Sequence, residues 1–440
     1  MKIAYIAAGA GGMYCGSCIR DNTLASALIK LGHEVALIPT YTPMRTDEAS
    51  VSMDNVFLGG VNIFLQLKVP FFRKTPRFID KLFDNPGFLR RISNDAGSTD
   101  AGQLGELTLA TIQGDHGVLK KEFVRLVEWL KNEYKPDIVQ LTNSMFLGMA
   151  AGMKRELGVP VLCAMQGEDI FLEALAEPHK SNVLKMLQEK AADVDGFVAT
   201  SDFYAGFMRE YLNVSQDRMH VVRLGINLDG HGKTPRKKRD DSLTIGYFAR
   251  ICPEKGLHHL IDAFRILKND RTMPQLRLKI AGYMGKKDAP YYEALKAKLQ
   301  KWGLANDVEH CGELSRDEKI SFLSSLDVLS TPTSYREPKG LFLLEAWANG
   351  VPVVQPAHGA FPEMIEATGG GLLVEPDSPQ ALADGLRKMI MNPELRERCG
   401  ENGRRGVREQ FSDQAMAEAT VEVFSHYLRQ KSESALVENL

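Results

Sequence analysis

Ser334-Tyr335-Arg336-Glu337-Pro338-Lys339-Gly340-Leu341-Phe342-Leu343-Leu344-Glu345-Ala346-Trp347, continued by Asn349-Gly350-Val351-Pro352, is the stretch that decides the fold class. The apolar run 341–347 reads as a helix that opens near Gly340 and stops at Gly350. A strand is expected before it at 327–331 and another after it at 351–355, so the stretch is a strand, loop, helix and strand of an α/β chain. Glu337 on the loop and Glu345 in the helix are separated by seven residues, Gly340 among them. The open N–H groups and the dipole at the helix start favour a pyrophosphate, and Gly340 removes the side chain that would block its approach. One turn further in, Glu345 can accept hydrogen bonds from vicinal ribose hydroxyls, while Glu337 can reach a sugar beyond the phosphates. A plainer reading stands beside this: Glu345 as a first-turn acid stabilised by the dipole, Glu337 as an exposed loop charge.

Outward from this stretch, buried strands alternate with amphipathic helices. In the first half, strands are expected at 2–8, 35–39, 137–141, 159–165, 196–200 and 220–223, with helices at 23–31, 120–133, 182–192 and 205–211. The pattern restarts at 243–248 and continues through 276–281, 308–312, 327–331, 351–355 and 371–374. Such alternation predicts an α/β fold of two doubly wound, Rossmann-like domains facing across a cleft, with ligands beyond the carboxyl ends of the strands. The expected layout is an acceptor domain 1–225, a linker 226–242, a donor domain 243–412 and a terminal helix within 413–440. The basic run Lys233-Thr234-Pro235-Arg236-Lys237-Lys238-Arg239 reads as a solvated linker, with nucleic-acid or membrane attraction as the other reading.

A chain of 440 residues exceeds one core, and a formal charge of −2 leaves no nucleic-acid footprint. The apolar start is too short for a signal peptide and no later run spans a bilayer, so a cytoplasmic protein is expected. Six cysteines, Cys15, Cys18, Cys163, Cys252, Cys311 and Cys399, are too sparse for a disulfide framework. No aspartate-rich or zinc-spaced motif is present, so neither a metal nor another cofactor is expected.

Arg250 and Lys255 lie in Gly246-Tyr247-Phe248-Ala249-Arg250-Ile251-Cys252-Pro253-Glu254-Lys255-Gly256, after the second domain's first strand. A guanidinium fork and a compact ammonium together can neutralise a diphosphate; alone, they read equally as surface charges. Gly282-Tyr283-Met284-Gly285 follows the next strand and by itself reads as a turn. In the first domain, Gly9-Ala10-Gly11-Gly12-Met13-Tyr14-Cys15-Gly16-Ser17-Cys18 joins strand to helix. Its glycines let backbone N–H groups approach an anion or a sugar hydroxyl, but the spacing fails the dinucleotide fingerprint. Cys15 and Cys18 admit three readings: a redox pair, half of a metal site, or small residues in a tight turn.

Glu337 through Glu345 resembles the E-x7-E motif of glycosyltransferase family 4, a retaining family with the GT-B fold. Val351-Pro352-Val353-Val354, His358-Gly359-Ala360-Phe361-Pro362-Glu363 and Gly371-Leu372-Leu373-Val374 with Pro376 resemble its following strands and donor loop. The 250–256 segment is similar to its G-R-x-x-x-x-K-G pattern. The resemblance implies transfer of a hexosyl unit from a nucleotide-diphosphate sugar to a carbohydrate, lipid-linked or small-molecule hydroxyl. It places Glu337 at the donor sugar, Glu345 at the ribose, and Arg250 with Lys255 at the diphosphate. Gly340, Leu341, Gly282, Gly359 and Phe361 would line the donor site, and Gly11, Gly12 and Met13 the loop near phosphates and acceptor. It also implies that the helix near 414–428 crosses back to the first domain. A sugar phosphorylase or epimerase of the same fold, or a silent nucleotide-sugar-binding homologue, are the alternatives.

The chain departs from the family in three places. Pro338-Lys339 stands where glycine and an aromatic are usual, so Lys339 adds a charge beside sugar or phosphate. Gln166 replaces the histidine at the end of a first-domain strand, keeping hydrogen-bonding capacity but not titration near neutral pH. Glu168 can supply the missing carboxylate or cap the next helix, as Asp169 is expected to do. Gln140, Thr142 and Asn143 stand where further histidines are usual. Within 70–83, Phe78, Ile79, Leu82 and Phe83 share a face flanked by Arg73, Lys74, Arg77 and Lys81. That face either packs on the first domain or rests on an anionic bilayer.

Overall fold

The computed structural model describes residues 1–9, 15–53, 104–233 and 242–438, with side chains to 433. The first unit, Met1–Arg223 with Met416–Leu440, carries β1 Lys2–Ala7, β2 Glu34–Pro39, β3 Ile138–Leu141, β4 Val161–Met165, β5 Gly196–Ala199 and β6 Met219–Val221. They form one parallel sheet in the order β2-β1-β3-β4-β5-β6. The second unit, Leu224–Ala415, carries β7 Ser242–Phe248, β8 Gln275–Ala281, β9 Val308–Gly312, β10 Val328–Leu329, β11 Val353–Pro356 and β12 Gly371–Val374. Their order is β12-β11-β10-β7-β8-β9, again all parallel. Helices cover both faces, so inner strands such as Ile3-Ala4-Tyr5-Ile6-Ala7 are wholly buried and read as continuous apolar runs. This is the doubly wound α/β class expected for both halves.

In each sheet the winding reverses beside its first strand. For the second unit the reversal lies between β7 and β10, which pair as Val328↔Ile245 and Leu329↔Gly246. The loops leaving these two strands therefore border the crevice where open α/β sheets bind ligands.

The helix Asp413–Glu438 belongs largely to the first unit: Met416, Ala417, Phe424 and Tyr427 join Ile3, Tyr5, Leu24 and Leu28 in one buried cluster. Gly196 makes room for it, since a Cβ there would lie 2.2 Å from the Tyr427 hydroxyl, which pairs with His220 Nε2 at 2.8 Å. Phe424 is fully buried, so Phe424→Ala is expected to lower unfolding stability by about 3–5 kcal/mol. Urea denaturation checks this, and a change below about 1 kcal/mol would show that the helix is not part of that core.

Three expectations change. The first helix spans Gly16–Lys30 and not 23–31, because its opening turns bury polar residues, Arg20, Asp21 and Asn22, which hide its inner face from an apolar pattern. The described start of the supposed linker is packed into the second unit. Ile226 bridges Ser412, the Asn227 and Asp229 carbonyls accept from Arg316, and the Gly232 amide donates to Asn349. Finally, the 182–192 helix opens earlier, at His179. The amphipathic segment 70–83 and the tip of the basic run lie outside the described residues. Among the described residues no helix is long and apolar enough to cross a membrane.

Candidate functional site

The loop after β7 and the loop after β10 are zipped together by backbone. Ser334 N–H donates to the Glu254 carbonyl at 2.9 Å, and Gly256 sits against Pro332, where a Cβ would be 1.7 Å from the carbonyl oxygen. This brings Lys255 to Glu337: Nζ lies 2.5 Å from Oε2 and 2.6 Å from the Tyr335 hydroxyl, which itself donates to Glu337. The ammonium also stands over the Tyr335 and Phe342 rings, at 4.9 and 5.5 Å from their centroids. Lys255 has three N–H donors, and among the described residues two are taken.

Glu337 is 3% exposed, which removes its reading as an exposed loop charge. Its Oε1 accepts the N–H groups of Lys339 and Gly340, each at 3.3 Å, so the carboxylate also holds the entry to the helix Leu341–Ala348. Burial alone would raise the pKa of Glu337; the Lys255 charge and the hydrogen bonds from Lys255 and Tyr335 prevail and hold it down to about 2. All four acceptor directions of this carboxylate are occupied. In this state it is a hub joining cation, aromatic hydroxyl and helix start.

Glu345 falls in the second turn of that helix, so the first-turn reading fails as well. It is 5% exposed and its Oε1 lies 2.6 Å from Lys319 Nζ, on the helix Arg316–Ser324. Arg250 is exposed; its Nε donates to Cys252 Sγ at 3.3 Å, and among the described residues nothing accepts from its terminal nitrogens. Gly282 fixes that loop from below, a Cβ there meeting the Ala249 carbonyl oxygen at 1.9 Å. Gly359 presses on the backbone of Glu337, and the Ala360 amide donates to the Glu337 carbonyl at 2.8 Å. Gly340 takes φ 63° as the helix N-cap, and Leu341 is the first helical residue. Phe361 differs from expectation: it is fully buried, packed edge-on to Phe342, so its ring belongs to the core.

The first-unit candidates form a cluster of their own. The Gln166 amide donates to Asp21 at 2.8 Å and to the Thr142 carbonyl and hydroxyl at 3.0 and 3.1 Å. Asp21 also accepts from Tyr5 and Thr142, and Arg20 donates to the Tyr5 hydroxyl. Glu168 spans two strand ends, accepting from the amides of Ser144 and Gln166. Asn143 caps the short 3-10 helix Ser144–Met149 through its side chain. Gln166 and Asn143 are thus held by hydrogen bonds within the first unit, with Gln166 Oε1 among the buried atoms that have no partner among the described residues. Cys15 precedes the helix Gly16–Lys30 as its N-cap and Cys18 is buried in its first turn, both outside any disulfide. Gly11, Gly12 and Met13 lie outside the described residues. Among the described residues no cluster of three His, Cys, Asp or Glu could hold a metal.

Sequence reasoning missed Lys319 and Tyr335. Tyr335 stood two residues before Glu337 inside the quoted stretch; Lys319 lies 26 residues upstream of Glu345, and only the packing of two helices joins them.

Several known proteins are similar to this chain. An MMP alpha-(1->4)-mannosyltransferase of Mycolicibacterium hassiacum is 31% identical over 243 residues, 55% of this chain and 56% of that protein. A D-inositol 3-phosphate glycosyltransferase of Corynebacterium jeikeium is 30% identical over 253 residues, 55% and 59% of the two. The match thus spans little more than half the length of these relatives. Sucrose-phosphate synthase from Thermosynechococcus elongatus shares the fold, with a TM-score of 0.71 and 18% identity over 97% of this chain and 98% of that one. So does Anabaena HepE, solved with UDP-glucose, with a TM-score of 0.65 and 16% identity over 97% and 100%. The model of glycosyltransferase family 4 matches residues 108–229 and that of glycosyl transferases group 1 matches 233–406, each within one unit's strand series but for a few residues, and by these the chain belongs to the group 1, family 4 glycosyltransferases.

Proposed function

We propose that the protein is a retaining glycosyltransferase that moves a hexosyl unit from a nucleotide-diphosphate sugar to a hydroxyl acceptor, without a metal ion. The observation that carries this reading is the Lys255–Glu337 pair at the start of the helix Leu341–Ala348, with Arg250 on the adjoining loop and Glu345 one turn along. Breaking the bond between the sugar and the diphosphate leaves negative charge on phosphate oxygen. The third N–H of Lys255, the Arg250 fork and the amides at Gly340 and Leu341 meet that charge where it develops. Glu337 keeps Lys255 and the helix entry in place, and offers Oε1 to the sugar as its long backbone bonds give way. The new bond forms on the face the diphosphate leaves, and the departing phosphate oxygen takes the acceptor proton, since Gln166 has no titrating group. HepE was solved with UDP-glucose, and the curated relatives are named for sugar transfer, which supports a nucleotide-sugar donor.

Glu345→Ala is expected to weaken nucleoside diphosphate binding about tenfold to a hundredfold, the loss of charged hydrogen bonds to ribose. Calorimetry measures it, and unchanged affinity would remove the ribose assignment. Transfer should proceed unchanged in EDTA and give a product of the donor's anomeric configuration by NMR; an inverted product or a metal requirement overturns that part of the reading.

A further inference from the structure

We infer that Lys319 is a positioning residue for the nucleoside end of the donor, holding the Glu345 carboxylate ionised and aimed; this rests on the ribose role proposed for Glu345. The two groups are 4% and 5% exposed and their charged atoms are 2.6 Å apart. The helix Arg316–Ser324 that carries Lys319 has a fixed start: the Ser315 amide and hydroxyl donate to Glu318 at 2.9 and 2.6 Å, and the Lys319 amide donates to the Ser315 carbonyl at 2.8 Å. One turn beyond the ion pair, Ser324 Oγ donates to Asn349 Oδ1 at 3.3 Å, and Asn349 Nδ2 donates to the Glu345 carbonyl at 2.8 Å. The two helices are therefore joined at two rungs, and the second does not depend on charge.

A buried ion pair adds little net stability, because desolvation of both ions offsets their attraction. Removing only the cation has a different result: a carboxylate stranded in the interior takes up a proton. A protonated carboxyl then has less capacity to accept from two ribose hydroxyls. Lys319 thus acts through Glu345 and touches no substrate.

Among the described residues, ionisable groups on the adjoining segments have partners of their own. Arg316 donates to the Asn227 and Asp229 carbonyls, Glu318 binds Ser315, and Arg404 donates to the Gly232 carbonyl, on the strand-linking segment that also carries His231. His231 Nδ1 accepts from Asn349 Nδ2 at 2.8 Å, which places an imidazole beside the second rung. His231→Gln is the control for it.

The experiment is calorimetric titration with UDP, ADP and GDP from pH 6 to 9, on the whole protein. Wild type should bind at least one of them with no pH dependence, and no proton uptake or release between buffers of different ionisation enthalpy, beyond that of the ligand's own terminal phosphate, which ionises at about pH 6. Lys319→Met should bind about tenfold to a hundredfold more weakly at pH 6 and recover as pH rises. It should raise donor KM while leaving kcat within a few-fold. Lys319→Arg should keep the wild-type profile. If no nucleoside diphosphate binds wild type, the donor reading itself fails. If wild type binds but Lys319→Met matches it across the range, or if wild type releases more protons on binding than the ligand's terminal phosphate accounts for, the role of Lys319 is overturned. The wild-type proton balance decides the matter even where Lys319→Met does not fold.

Discussion

Lys255→Ala is expected to lower turnover about a hundredfold to a thousandfold, the effect of removing one preorganised donor from developing oxyanion charge. On the proposed role the loss should fall on kcat, because the charge that the ammonium would meet appears as the diphosphate departs. The same substitution has a second signature in acid. Glu337 has its pKa held at about 2 in the folded protein, below its ordinary value of 4.5, so the unfolded chain binds the proton more readily. The resulting stability is fully present above about pH 4.5 and is lost as pH falls toward 2, an acid limb worth about 3 kcal/mol at most. With Lys255 gone, burial dominates and the limb disappears. Urea midpoints between pH 2 and 6 would show a rise with pH for wild type that is absent in Lys255→Ala. Parallel curves would mean that Lys255 is not what holds Glu337 ionised.

Gly359→Ala should be comparably severe although it adds one methyl group. The residue has φ +61°, and its Cβ would stand 2.5 Å from the carbonyl oxygen and 2.6 Å from the amide nitrogen of Glu337. Backbone on both sides leaves no flexible side chain to yield, so the loop carrying Glu337 must move. A stability loss of at least about 3 kcal/mol and a drop in turnover of about a hundredfold are expected, since displacement by an ångström is enough to uncouple reacting groups. Gly350→Ala is the contrast: φ is +70° but nothing lies within 4 Å, so the left-handed backbone alone should cost about 1–2 kcal/mol with turnover kept. Equal effects of the two substitutions on turnover would break the link between Gly359 and Glu337.

The fold was legible because parallel sheets covered on both faces write their strands as unbroken apolar runs, and the expected strands lie where β1 to β12 are found. What was hidden involves polar groups facing inward. Arg20, Asp21 and Asn22 occupy the buried side of the first helix because Tyr5, Thr142 and Gln166 receive them there, and no pattern of hydrophobicity shows such a partnership. The candidate site divides the same way. Glu337, Gly340 and Glu345 sit within one stretch, where helix spacing relates them; Lys319 meets Glu345 only through the packing of two helices. Phe361 was misplaced because an aromatic beside a donor loop reads the same in sequence whether it faces ligand or core.

The helix Asp413–Glu438 has a consequence for the order in which the protein is made. The second unit is contiguous in sequence, whereas the first closes its core with Met416, Ala417, Phe424 and Tyr427 from the far end of the chain. Domains ordinarily fold from the N-terminus as they leave the ribosome. Here the nascent first unit must wait, with the face formed by Ile3, Tyr5 and Leu24 uncovered, until translation has passed the whole of the second. The part synthesised first is the part finished last.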